Sequence, residues 1–195
     1  MAMTTNNVQW PPSLWAAQTA PGPDLPELQG NESADVVVIG GGFTGLSTAL
    51  HLREAGVDVA IVEAMEPGWG ASGRNNGQVI PTLSRPDPDD LVARHGAAGE
   101  RFVAMLRDSA AALFDTIRRY NIEAEHEQRG WVQPVHSPGR IRIAERRFMQ
   151  WSKHGAPVEL LSRDQVRDML GSEAWYGGFW NKTGGHINPL ALARG

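Results

Sequence analysis

Two hydrophobic periods run along this chain, and the switches between them mark its elements. Val36 to Ile39 form a short, wholly apolar run rich in β-branched residues, the pattern of a parallel strand buried on both faces. Leu46, Ala49, Leu50 and Leu52 then recur at helical spacing, and Gly56 ends that helix with a residue that tolerates positive φ. Val57 to Val62 predict a second apolar strand, closed by Glu63. Asp87-Pro88 reads as a cap followed by proline at the first helical position, starting a short helix that Gly96 stops. From Ala98 to Tyr120 the period is again helical. Phe102, Met105, Leu106, Leu113, Ile117 and Tyr120 share one face, while Arg101, Arg107, Asp108, Asp115 and Arg118 fall elsewhere.

Beyond Tyr120 the pattern predicts two strands, Ile122 to Glu127 and Trp131 to His136, with Arg129-Gly130 as a hairpin turn between them. Pro138-Gly139 opens a helix that continues to near Lys153, and Val158 to Leu161 is a short strand. Ser162-x-x-Gln165 matches a capping box, starting a helix that ends at Gly171. Trp175 to Trp180 reads as a further strand. Asn188-Pro189 has the form of a cap and first turn, after which the chain stops at Gly195, about half the ~11–12 residues of an average helix. A doubly wound sheet also needs more parallel strands than one βαβ unit supplies. The expectation is therefore the N-terminal part of a longer protein.

Between the first strand and its helix stands Gly40-x-Gly42-x-x-Gly45. In such a motif the first glycine allows the tight turn, the second lets the backbone approach a pyrophosphate, and the third lets the helix pack close to the strand. Glu63 follows 23 positions after Gly40, near the ~20 expected of the acid that hydrogen-bonds a ribose hydroxyl. Strand, turn, helix, second strand and acid are in register, which predicts a Rossmann-like dinucleotide-binding unit. Glu63 suits NAD as well as FAD, so the unit alone leaves the nucleotide open.

Composition narrows the setting. Charged residues are 21% of the chain and the net charge is −4, a surface that suits a soluble protein and argues against nucleic acid as the main partner. There is no cysteine, so no disulfide or thiolate ligand lies within these residues. No apolar run approaches the ~18 residues of a membrane span. The first 34 residues carry Trp10, Trp15, Pro11, Pro12, Pro21, Pro23 and Pro26 without a basic start or an apolar core. They read as an extended arm whose tryptophans dock on the body, not as a secretory signal, and the cytoplasm is the expected compartment. His51, His95, His126, His136, His154 and His186 show no ligand spacing, so no metal site is expected. Arg140, Arg142, Arg146 and Arg147 read as a solvated helix face, and no Ser/His/Asp triad can be assigned.

With these residues in view, the chain resembles the FAD-dependent D-amino-acid-oxidase-like oxidoreductases, the group of the glycine and sarcosine oxidases, and most closely their gamma-glutamylputrescine oxidoreductase branch. The resemblance begins at the Trp15-Ala16 stretch and runs through the glycine motif and Glu63. It continues over Gly68-Trp69-Gly70-Ala71-Ser72-Gly73-Arg74-Asn75-Asn76-Gly77-Gln78 and ends with Gly184-Gly185-His186-Ile187-Asn188-Pro189. The branch's loop reads GASGRNGGQ, so Asn76 stands where a glycine is usual; a positive φ there would suit asparagine. The resemblance implies that Gly40, Gly42, Phe43, Thr44, Gly45 and Glu63 hold the ADP half of FAD. It implies that Ser72, Arg74, Asn75, Gly77 and Gln78 line the pyrophosphate and the isoalloxazine ring. It leaves the catalytic residues unknown.

The fold class so expected is α/β, a Rossmann-like FAD-binding βαβ unit with part of an antiparallel α+β substrate domain. The segments are an arm over 1–34, an FAD-binding region over 35–121, part of a substrate domain over 122–187, and the start of a helix over 188–195. The function implied is oxidation of the C–N bond of a primary or secondary amine or amino acid, gamma-glutamylputrescine-like, with oxygen as acceptor. The partner implied is a small-molecule amine or amino-acid substrate, with no nucleic acid and no membrane, and the oligomeric state stays open. A nicotinamide-dependent dehydrogenase and a non-catalytic nucleotide-binding fragment remain alternatives at this point.

Overall fold

The computed structural model describes residues 10–195; residues 1–9, the outer part of the expected arm, lie outside the described residues. Along the chain run α1 (Leu14–Gln18), β1 (Val36–Ile39), α2 (Phe43–Glu54), β2 (Val59–Val62), β3 (Gln78–Val79), α3 (Pro88–His95) and α4 (Ala97–Arg119). There follow β4 (Trp131–Pro134), α5 (Ile141–Lys153), β5 (Val158–Leu161), α6 (Arg163–Leu170), β6 (Gly178–Asn181), β7 (Gly185–His186) and α7 (Pro189–Arg194). Packing divides them into two compact units. The first takes residues 10–77 with Asn121–Glu125 and Ile187–Gly195, and the second takes Gln78–Tyr120 with His126–His186.

The first unit is built on the βαβ. β1 and β2 are parallel, with Val36 opposite Val59 and Ile39 opposite Val62. α2 ends because Gly56 turns the chain at φ 81°, which is unstrained only for glycine. Val57 N–H then donates to Leu52 O and Gly56 N–H to Arg53 O, the paired closure of a Schellman motif. The expected burial of β1 on both faces is corrected. Val36 and Val38 are half-buried, whereas Val37 and Ile39 stand 56% and 87% exposed on the other face. α2 packs on one face of the two-stranded sheet, and on the other Val37 and Ile39 stay open among the described residues.

In the second unit β6 lies between β4 and β5, antiparallel to both; Phe179 faces Gln133 on one side and Leu160 on the other. The core gathers Val103 of α4, Val135, Ala144 and Trp151 of α5, Ala156, and Phe179 of β6. Val103 accounts for α4 grouping with this sheet. The predicted caps are present: Pro88 sits at the first position of α3, and Ser162 Oγ accepts from Gln165 N–H while the Gln165 side chain accepts from Ser162 N–H.

The predicted strand Ile122 to Glu127 does not form, nor does its hairpin with the next strand. Asn121 adopts φ 51° just before the segment and Glu125 φ 46° within it, which breaks extension at its start and in its middle. Glu127 makes a single bridge to His186, and the ladder partner of β4 is β6. The arm is not wholly extended either, because Ser13 caps the helical turn α1 through Ala16 N–H.

Candidate cofactor-binding site

The site forms where β1 hands over to α2. Gly40 has φ 106°, which places its backbone where a side-chain-bearing residue is strained, and its N–H donates to Val62 O at 2.8 Å. A Cβ on Gly45 would lie 2.0 Å from Gly40 O and 3.2 Å from Val38 Cγ1, so only glycine lets α2 approach the turn this closely. Among the described residues, the side chain near Gly42 is that of Ser72, whose Oγ would be 3.0 Å from an added Cβ. Ser72 Oγ also accepts from Phe43 N–H at 3.0 Å, satisfying one of the amides that every helix start leaves open.

Glu63 is tied into the same turn. One carboxylate oxygen accepts from Gly41 N–H at 2.6 Å and the other from Met65 N–H at 3.0 Å. Two backbone amides thus orient a carboxylate that remains exposed and retains acceptor capacity on both oxygens. The loop behind it is fastened at Gly68, whose N–H donates to Gly41 O at 2.9 Å. Gly73 N–H closes back on Gly68 O at 3.0 Å. A Cβ on Gly73 would lie 2.8 Å from Leu190 Cδ1, so α7 packs directly on this loop.

Arg74 lies over the Trp69 ring, 4.8 Å from its centroid, and its Nε donates to Gly70 O. Asn75 Nδ2 donates to Ser72 O at 2.7 Å while its Oδ1 accepts from Gly77 N–H at 2.8 Å. Positive φ falls at Gly77, 73°, and not at Asn76, so asparagine stands there without a left-handed conformation.

Of the expected residues, Gly40, Gly42, Phe43, Gly45, Glu63 and Ser72 come together around one turn, with Thr44 in the first turn of α2. Arg74, Asn75 and Gly77 lie on the loop that Ser72 opens. Gln78 belongs to the second unit, where it pairs with His186 across β3 and β7 and its Oε1 accepts from Trp131 Nε1 at 3.1 Å. Sequence reasoning missed Gly41, whose amide anchors Glu63, and the packing role of Gly73. The unbroken run Gly40-Gly41-Gly42 was the available signal for the former. Among the described residues no group of three His, Asp or Glu side chains is placed to hold a metal ion, and no helix is long and apolar enough to cross a membrane.

Residues 35–195 match the model of the FAD dependent oxidoreductase (DAO) family, and the chain belongs to that family. It is 37% identical over 169 residues to the gamma-glutamylputrescine oxidoreductase of Escherichia coli, a match covering 85% of this chain and 39% of that protein. Human mitochondrial dimethylglycine dehydrogenase is 27% identical, with 85% of this chain and 18% of that protein covered. The chain spans 39–46% of the length of the first curated relatives it matches. Among solved structures, the L-amino acid deaminase of Proteus myxofaciens superposes with a TM-score of 0.72 at 18% identity, covering 90% of this chain and 38% of that one. The glycine oxidase of Bacillus cereus superposes at 0.59 with 24% identity, covering 83% and 42%. These superpositions show a shared fold, and FAD is the cofactor of the family that the chain belongs to.

The residues present fit that cofactor. The side-chain-free approach at Gly42, the close helix packing at Gly45 and the anchored, exposed carboxylate of Glu63 are the features a dinucleotide's pyrophosphate and ribose require.

Proposed function

We propose that this chain carries the ADP-binding turn and flavin loop of an oxidoreductase that oxidises the carbon–nitrogen bond of a small amine or amino acid. The observation that carries the reading is the Glu63 carboxylate held between Gly41 N–H and Met65 N–H beside the glycine turn. Glu63 accepts hydrogen bonds from the adenosine ribose. Gly40, Gly42 and Gly45, with Phe43 and Thr44 opening α2, receive the pyrophosphate at a helix start whose dipole favours anions. Ser72, Arg74, Asn75, Gly77 and Gln78 line the pyrophosphate and ring, and Arg74 brings a positive charge to the flavin's neighbourhood. The antiparallel sheet β4–β6–β5 is part of the substrate domain.

FAD, when bound, would supply the two-electron oxidation of the carbon that bears nitrogen. The imine left on the substrate adds water and separates into a carbonyl compound and an amine or ammonia. Oxygen serves as electron acceptor and leaves as hydrogen peroxide. The amine substrate class is supported by the named activities of relatives, which include a gamma-glutamylputrescine oxidoreductase and a dimethylglycine dehydrogenase. The test is a panel of amines and amino acids, gamma-glutamylputrescine among them, offered to the FAD-loaded intact protein. Peroxide and carbonyl product should appear together in equal amounts. A protein that binds FAD and oxidises no amine under air or with an artificial acceptor would overturn the substrate class.

A further inference from the structure

Residues 10–22 fold back onto the segment that carries the candidate loop. The turn α1, capped by Ser13, presents Trp15, and the indole Nε1 of Trp15 donates to the main-chain oxygen of Asn75 at 2.7 Å. The same ring bounds Gly77, where an added Cβ would lie 3.2 Å from Trp15 Cζ2. Asn75 therefore faces two ways. Its carbonyl meets the arm, while its side chain ties Ser72 O to Gly77 N–H within the loop.

The arm is pinned on both sides of this contact. Thr19 Oγ1 accepts from Asn188 Nδ2 at 2.9 Å, and Arg194 donates to Ala20 O. Trp10 Nε1 donates to Glu66 at 3.2 Å, and the Arg194 guanidinium lies 4.7 Å from the centre of the Trp10 ring while also pairing with Glu66. Glu66 immediately precedes the loop and Arg194 ends α7, so the arm is joined to both segments that the loop packs against. A loop so rich in glycine loses more conformational entropy on ordering than any other kind, and contacts from outside must hold it.

We infer that residues 10–22 form a clasp that sets the conformation of the 71–77 loop, with Trp15 as a positioning residue for the cofactor held there. The inference rests on the FAD reading of the loop. Trp15 touches no reacting atom; it acts through Asn75. An aromatic side chain suits this role because it brings a large rigid surface and one directed donor with only two rotatable bonds.

The experiment compares Trp15→Phe, which keeps the aromatic body and removes the donor, with Trp15→Ala in the intact protein. Without FAD, amide hydrogen exchange at Gly73, Arg74 and Gly77 should quicken about three- to tenfold in Trp15→Phe, the value of one neutral hydrogen bond, and more in Trp15→Ala. Exchange in α4 should stay unchanged, which shows that the fold is intact. The FAD dissociation constant should rise by a similar factor in the same order. Unchanged exchange in the loop would overturn the clasp. Quickened exchange with unchanged FAD affinity would overturn the positioning role. A wild-type protein that binds no FAD would overturn the flavin reading instead, and the exchange data would still decide whether Trp15 holds the loop.

Discussion

At the scale of single residues, two glycines three positions apart make different demands. Gly45 admits no Cβ because Gly40 O would be 2.0 Å away, a backbone atom that cannot yield without moving the turn. Gly45→Ala should cost about 3 kcal/mol, at the upper end for overpacking, read as a shift in the denaturation midpoint. Gly42→Ala meets the Ser72 hydroxyl at 3.0 Å, a side-chain atom that can give way at the expense of its bond from Phe43 N–H, so stability should change by about 1 kcal/mol while FAD affinity falls. Glu63→Gln tests a double role. The amide cannot accept from both Gly41 and Met65, so the substitution should cost about 1 kcal/mol of stability as well as about tenfold in FAD affinity, measured by melts and flavin titration. The glycine spacing and the terminal acid were legible because the chemistry fixes both. The anchoring of Glu63 by Gly41 was not, since it depends on a distance between the ends of two strands that spacing alone does not specify.

At the scale of elements, local signals held where one residue dictates one geometry. Gly56, Gly96 and Gly171 all take positive φ where a helix was expected to stop, and Ser162 and Asn188 cap as their types require. Alternation failed over Ile122 to Glu127, because two residues at positive φ outweigh any strand propensity there. β3 escaped notice since two residues are too few to show a period, yet its pairing with β7 is what sets Gln78 against His186. Between α3 and α5, Asp89 accepts from Lys153 Nζ at 2.9 Å and meets His154 Nε2 at 2.9 Å. The Lys153 hydrogen bond, followed by that of His154, holds the Asp89 carboxyl below its usual value of 3.8. A depressed carboxyl stabilises the fold above the unfolded value of about 3.9 and loses that contribution as pH falls through the folded one. Asp89→Asn should therefore lower the melting temperature at neutral pH, and the difference from wild type should shrink as pH falls below the ordinary aspartate value and through the depressed folded one.

At the scale of the whole molecule, the two units differ in how they are covered. Phe114 is fully buried, and Phe114→Ala should cost about 3–5 kcal/mol. Ile39, on the open face of β1, should tolerate serine within about 0.5 kcal/mol in this 195-residue chain, by the same denaturation assay. An apolar strand reads as buried from sequence because composition reports what a residue prefers and not which neighbours are present. The central claim is that the turn from β1 to α2, with Glu63, is an FAD site. The most direct measurement is a titration of the intact protein with FAD, followed by quenching of flavin fluorescence, with NAD as competitor. An FAD site there should give saturable binding of one FAD per chain that NAD displaces poorly and that Gly42→Ala weakens without unfolding the protein. No saturable binding, tighter binding of NAD, or an FAD affinity that Gly42→Ala leaves unchanged would contradict it.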